Sequence, residues 1–196
     1  QGFFKFQWNE ETQYLSKIAV SMIPVLLVGL FLKDYVDSLF TGSLLITGAG
    51  LLITGIFLTL TYKIKPRERE IGFLDSLIIG IAQALAVLPG VSRSGSTIST
   101  GMMLGNKKEK LAHFSFLMVL VPIIGANILD MLDGNFSESA SQIGMTNILI
   151  GFVTAFVTGL IACKWMISMV KKGKLIWFAF YCFFVGILSI SIGLIN

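Results

Sequence analysis

Long apolar runs dominate the chain, separated by short polar segments, and their lengths set the elements. Runs at about 17–33, 39–62, 112–131, 146–170 and 175–195 predict helices that cross a hydrocarbon core, which takes about 20 residues. Pro24 falls inside the first, where neighbouring helices can tolerate it. Gly42, Gly48, Gly50 and Gly55 crowd the second and predict a face for close helix contact. The stretch 73–105 breaks the pattern. Its two apolar pieces, 73–89 and 91–105, are each short for a full crossing, and Pro89-Gly90 stands between them. The pattern predicts an all-α polytopic membrane protein, one integral domain over 1–196, in which a helix bundle carries a re-entrant helical hairpin at about 73–105.

Composition agrees. Of the 196 residues 55% are hydrophobic and 13% charged, about half the roughly 25% charged residues of soluble domains. That excludes a soluble enzyme, a disordered chain and a nucleic-acid binder. The net charge of +4 has a plainer source than a polyanionic partner. Ten of the 15 basic residues sit in three clusters, 63–69, 107–110 and 171–174, as in cytoplasmic loops. If the segment 73–105 enters and returns, all three clusters fall on one side. The segment 130–144, with Asp130, Asp133 and Glu138 and no basic residue, falls on the other. The same rule places Lys5 and Lys17 inside and the C-terminus outside. Cys163 and Cys182 lie in apolar runs and read as packing residues rather than a disulfide. A single histidine, His113, cannot make a metal site of the usual spacing and reads as interfacial.

One charge remains unexplained. Between Asp75 and Lys107 only Arg93 is charged, and it stands where the two short helices meet. An arginine at the centre of a membrane helix costs on the order of 2.5–3.5 kcal/mol on insertion scales, so it is normally functional or paired. Six of the nine residues 92–100 carry hydroxyls, and Ser92 or Ser94 can cap the second helix. A helix N-terminus, a guanidinium fork and several hydroxyl donors together suit an anion, above all a phosphate. The competing explanation is an ion pair that only locks the hairpin, for which Asp75 and carboxylates outside this chain are candidate partners. Gln83, on the first short helix, faces either the cavity or a neighbouring helix.

Gly80-x-x-Gln83 followed by Pro89-Gly90-Val91-Ser92-Arg93-Ser94-Gly95-Ser96-Thr97 resembles the second signature of the bacterial undecaprenyl-diphosphate phosphatases, the bacitracin-resistance family. Phe73-Leu74-Asp75 and Phe114-Ser115-Phe116-Leu117 are similar to the same family. The resemblance implies hydrolysis of undecaprenyl diphosphate to undecaprenyl phosphate and inorganic phosphate, which recycles the lipid carrier for peptidoglycan synthesis in the bacterial plasma (inner) membrane. It implies two inverted repeats, each with a re-entrant hairpin. It also carries over Arg93 as phosphate clamp with Ser92 beside it as catalytic residues, and Ser94, Ser96, Thr97 and Gln83 as substrate-binding residues. A divalent cation, Mg or Ca, is implied as cofactor, with ligands from outside this chain. Implied partners are the lipid diphosphate and membrane lipid, with a homodimer as an open option and no nucleic acid.

The family's other signature, a Glu-rich element followed by Ser-Ser-Thr-Gly-His, belongs to the first repeat and is not found before Lys17. The chain starts at Gln1 without a signal-peptide pattern. The expectation is therefore of a chain lacking the N-terminal hairpin and its acidic motif. Two rival readings stay open: a transporter or flippase of a lipid-linked phosphate, which shares broken helices with this family, and a structural half without activity.

Overall fold

The computed structural model describes residues 9–40, 44–64, 69–132 and 144–195. Among them the chain is helical, with no strand beyond an isolated bridge between Arg69 and Asn106. In order come α1 (Glu10–Phe31), α2 (Lys33–Leu39), α3 (Leu44–Tyr62), α4 (Phe73–Leu85), α5 (Arg93–Met103), α6 (Lys108–Leu132), α7 (Met145–Lys171) and α8 (Leu175–Ile195). Five of these, α1, α3, α6, α7 and α8, are long and apolar enough to cross a membrane. Helix α1 starts upstream of its apolar run, at Glu10 and Glu11, because acidic side chains suit the positive end of the helix dipole. The run 39–62 does not make one helix: α2 covers its first residue and α3 begins at Leu44. The acidic segment with Asp133 and Glu138, together with Lys5, Lys65 and Arg67, lies outside the described residues.

Small residues decide how the helices meet. α3 and α8 pack along their lengths. A Cβ on Gly48 would stand 2.6 Å from the Ile190 side chain and 2.9 Å from the Gly186 carbonyl. α1 lies against α4, where a Cβ on Gly80 would strike the Ser21 backbone. Gly50 of α3 leaves room for the Pro89 carbonyl, so the glycine-rich face of α3 receives both α8 and the α4–α5 turn. Gly90 in that turn has φ +84°, a left-handed conformation in which a side chain is strained, and a Cβ there would strike Thr47. Buried Ile18, Met22, Leu58, Ile79, Ile98, Phe114 and Met118 fill the space between α1, α3, α4, α5 and α6.

The bundle has the polarity of a protein solvated by lipid. α5, Arg-Ser-Gly-Ser-Thr-Ile-Ser-Thr-Gly-Met-Met, is the most polar of the helices longer than ten residues, yet every residue from Gly95 to Met102 is buried. α7 is apolar, and only Val170 in it is buried. Apolar side chains can face hydrocarbon at no loss, whereas hydroxyls must find partners inside.

The α4–α5 hairpin is closed at its mouth by backbone pairing. The Arg69 N–H donates to the Gly105 carbonyl and the Lys107 N–H to the Arg69 carbonyl, both at 3.0 Å. Charge reinforces the pairing: Glu70 accepts from Lys107 at 2.9 Å and from Lys110 at 2.6 Å. These lysines, the Lys110 bond first, hold the Glu70 carboxyl below the usual carboxylate range. Lys63, Lys108 and Gly173 line one cavity, so the three basic clusters meet at the end of the bundle that carries the hairpin's mouth.

Candidate functional site

Pro89 and Gly90 end the first arm of the hairpin, and the chain re-enters a helix at Arg93 with Ser92 as N-cap. The Gly95 N–H donates to the Ser92 Oγ at 3.1 Å, so the Ser92 hydroxyl accepts as a cap. The first-turn amides of α5, at Arg93 and Ser94, have no intrahelical acceptor and carry the positive end of the helix dipole.

Arg93 is half-buried on that first turn. Among the described residues its guanidinium makes no hydrogen bond or ion pair. Asp75, its candidate partner, is engaged elsewhere. One Asp75 oxygen accepts from Arg69 at 2.6 Å and the other from the Gly72 N–H at 2.9 Å, so this buried carboxylate caps α4 and anchors the hairpin mouth. The guanidinium fork of Arg93 therefore stays available to a ligand.

The hydroxyls divide into two sets. Thr97, 1% exposed, is used within the protein: its hydroxyl donates to the Arg93 carbonyl at 2.9 Å and lies 2.6 Å from the Ser115 hydroxyl. Ser94 is half-buried, and its hydroxyl bonds to nothing among the described residues. Ser96 and Gln83 are buried, and neither the Ser96 hydroxyl nor the Gln83 amide has a hydrogen-bond partner among the described residues. Ser99 and Asn106 share that condition, so all the buried side-chain orphans among the described residues belong to the hairpin and its mouth. A buried unpaired polar group costs about 1–3 kcal/mol, which marks this segment as built to receive polar partners.

The residues that sequence reasoning did not single out are Thr54, Ser99 and Arg69. Thr54 sits on α3 in a glycine-rich packing face, yet its hydroxyl accepts from the Ser92 N–H at 2.9 Å. Nothing local in the sequence signals a bond across 38 residues.

No group of three or more His, Cys, Asp or Glu among the described residues could hold a metal ion. With Asp75 neutralised by Arg69, the described residues around Arg93 do not fit a divalent cation. His113 is exposed and lines a cavity with Lys17, Glu70 and Lys110 at the basic end. Both cysteines are free; Cys182 packs inside, but Cys163 is exposed on α7 rather than packed.

Beside the hairpin turn lies an apolar cleft of about 470 Å³, lined by Met22, Val25, Leu26, Gly29, Val87, Pro122 and Gly125 among others. Its size is that of a ligand site, about 300–1,000 Å³. Gly29 and Gly125 have open space where a side chain would be, so they leave the cleft wide rather than seat a helix.

The family described as bacitracin resistance protein BacA matches residues 1–188. An undecaprenyl-diphosphatase of Bacteroides fragilis is 52% identical over 194 residues, covering 98% of this chain and 73% of the relative. One of Parabacteroides distasonis is 51% identical over 198 residues, covering 100% and 74%. One of Methanococcus vannielii is 40% identical over 189 residues, covering 94% and 72%. Matched over nearly its whole length, the chain belongs to the bacitracin resistance protein BacA family.

Proposed function

We infer that this protein is an undecaprenyl-diphosphate phosphatase, which hydrolyses the terminal phosphate of the membrane-bound polyprenyl diphosphate and returns the monophosphate carrier. Relatives at 48–52% identity over most of the chain bear that activity in their names. The observation that carries the site assignment is Arg93, a guanidinium without a partner among the described residues at the N-terminus of a buried helix. Phosphoryl transfer spreads negative charge over the phosphate oxygens, and fixed donors aimed at that charge lower the barrier. Arg93 would clamp the diphosphate in bidentate fashion, with the Ser94 hydroxyl and the first-turn amides as further donors. Ser92 supports this site as the cap that holds the turn. Gln83 and Ser96 supply buried polar atoms one turn deeper. The cleft beside Val87 suits the hydrocarbon next to the diphosphate. A divalent cation, Mg or Ca, stays part of the proposal with ligands outside the described residues.

The convergence of the three basic clusters supports a bundle whose hairpin enters from the cytoplasmic face, with the C-terminus outside. The test is phosphate release from undecaprenyl diphosphate by purified protein in detergent. A phosphatase releases inorganic phosphate there, whereas a transporter needs a sealed membrane and releases none.

A further inference from the structure

Two hydroxyl groups from different helices converge on the backbone of residues 92 and 93. On one side the Ser92 N–H donates to Thr54 Oγ1 of α3 at 2.9 Å, and the Thr54 hydroxyl donates onward to the Gly50 carbonyl at 3.1 Å. On the other side stands Ser115 of α6, 2.6 Å from the Thr97 hydroxyl. The Thr97 hydroxyl has a single proton, and the Arg93 carbonyl at 2.9 Å can only accept. With the Thr97 proton shared between the Arg93 carbonyl and the Ser94 carbonyl at 3.3 Å, the Ser115 hydroxyl, whose one hydrogen-bond contact among the described residues is Thr97, is placed to donate to it. The result is a directed chain, Ser115 to Thr97 to the Arg93 carbonyl, which polarises along its length. Thr54, Thr97 and Ser115 are 0%, 1% and 1% exposed, so water does not compete for these bonds.

We propose that Thr54 and Ser115 are positioning residues for phosphate binding: Thr54 holds the Ser92 N–H directly, Ser115 acts on the Arg93 carbonyl through Thr97, and together they fix where the Arg93 guanidinium starts from. Neither needs to touch substrate. The proposal rests on Arg93 as the anion-binding group. It assigns Thr97 to the support rather than to the ligand. Single-residue binding effects follow from geometry, since a small misplacement of a bidentate clamp is costly in a site of this kind.

The test uses the full chain in detergent, with Ser115→Ala, Thr97→Val, Thr97→Ser, Thr54→Val and the Ser115→Ala/Thr97→Val double variant. Affinity for methylene diphosphonate, an uncleavable diphosphate mimic, is measured by calorimetry, alongside melting temperature and phosphate release from a polyprenyl diphosphate. Ser115→Ala, Thr97→Val and Thr54→Val are each expected to weaken diphosphonate binding about 3- to 10-fold, the scale of one lost hydrogen bond. Thr97→Ser keeps the hydroxyl and is expected to keep the affinity. The double variant is expected to be no weaker than Thr97→Val alone, because the chain acts as a unit. Wild-type affinity in Ser115→Ala overturns the proposal, as do multiplying losses in the double variant. Equal loss in Thr97→Ser and Thr97→Val overturns it too, and that pair decides the matter if Ser115→Ala fails to fold. Wild-type protein that binds diphosphonate but releases no phosphate refutes the phosphatase reading and leaves this comparison intact.

Discussion

Arg93 and Asp75 are the two charges within the hairpin, and they are kept apart. Asp75 is satisfied at the mouth by Arg69 and the Gly72 amide, which frees Arg93 at the tip. Arg93→Lys retains the charge but loses the planar fork that matches two phosphate oxygens. Losing one charge-assisted bond costs about 1.5–3 kcal/mol, so kcat/KM for undecaprenyl diphosphate is expected to fall about 10- to 100-fold in a phosphate-release assay. Turnover at the wild-type level would remove Arg93 from the site. The isolated charge of Arg93 was readable from the sequence because nothing else charged lies near it. The fate of Asp75 was not, since its partner depends on how residues 69–72 fold back onto α4.

At the level of elements, the hairpin depends on its turn and its mouth. Gly90→Ala places a Cβ at a positive φ and against Thr47. The left-handed conformation alone costs about 1–2 kcal/mol, and a lower melting temperature in detergent is the expected outcome, with loss of activity alongside it. An unchanged melting curve would show that the turn can relax. The mouth is sensitive to pH. Glu70 titrates below its ordinary range when folded, held there by Lys110 and Lys107. Its contribution to stability is therefore present above the unfolded-state value and is lost as pH falls through the folded one. Thermal melts are expected to soften on acidification from neutral pH into the carboxylate range, less so in Glu70→Gln; identical pH slopes for the two proteins would contradict this. The breaks at Pro89-Gly90 and the cap at Ser92 were legible because proline, glycine and serine act locally. The Thr54 and Ser115 bonds were not, because a hydroxyl on an apolar helix reads the same whether it bonds to its own turn or across a bundle.

For the whole molecule, the distribution of basic residues and the packing agree on which ends of the helices lie together. Cysteines introduced at Lys108 and Lys172 are expected to react with an impermeant maleimide from the same side of sealed vesicles, and labelling from opposite sides would break the arrangement. The helix bundle was legible in hydropathy because lipid-facing helices carry no polar code to confuse it. Partner choice among the helices was harder to see. It follows from glycines whose neighbours, Ile190 for Gly48 and Ser21 for Gly80, lie far away in sequence.

The paired backbone at Arg69, Gly105 and Lys107 has a consequence for how the chain is threaded. In the proposed re-entrant arrangement the two stitched ends of the segment lie at the same level, so it adds nothing to the tally of crossings. Were the stitch to open during insertion and the segment to pass through as a single span, α6, α7 and α8 would each emerge reversed. Lys107, Lys108, Lys110, Lys171, Lys172 and Lys174 would then be carried to the wrong side together. In that proposed arrangement the short ladder at the mouth guards the handedness of everything downstream of it.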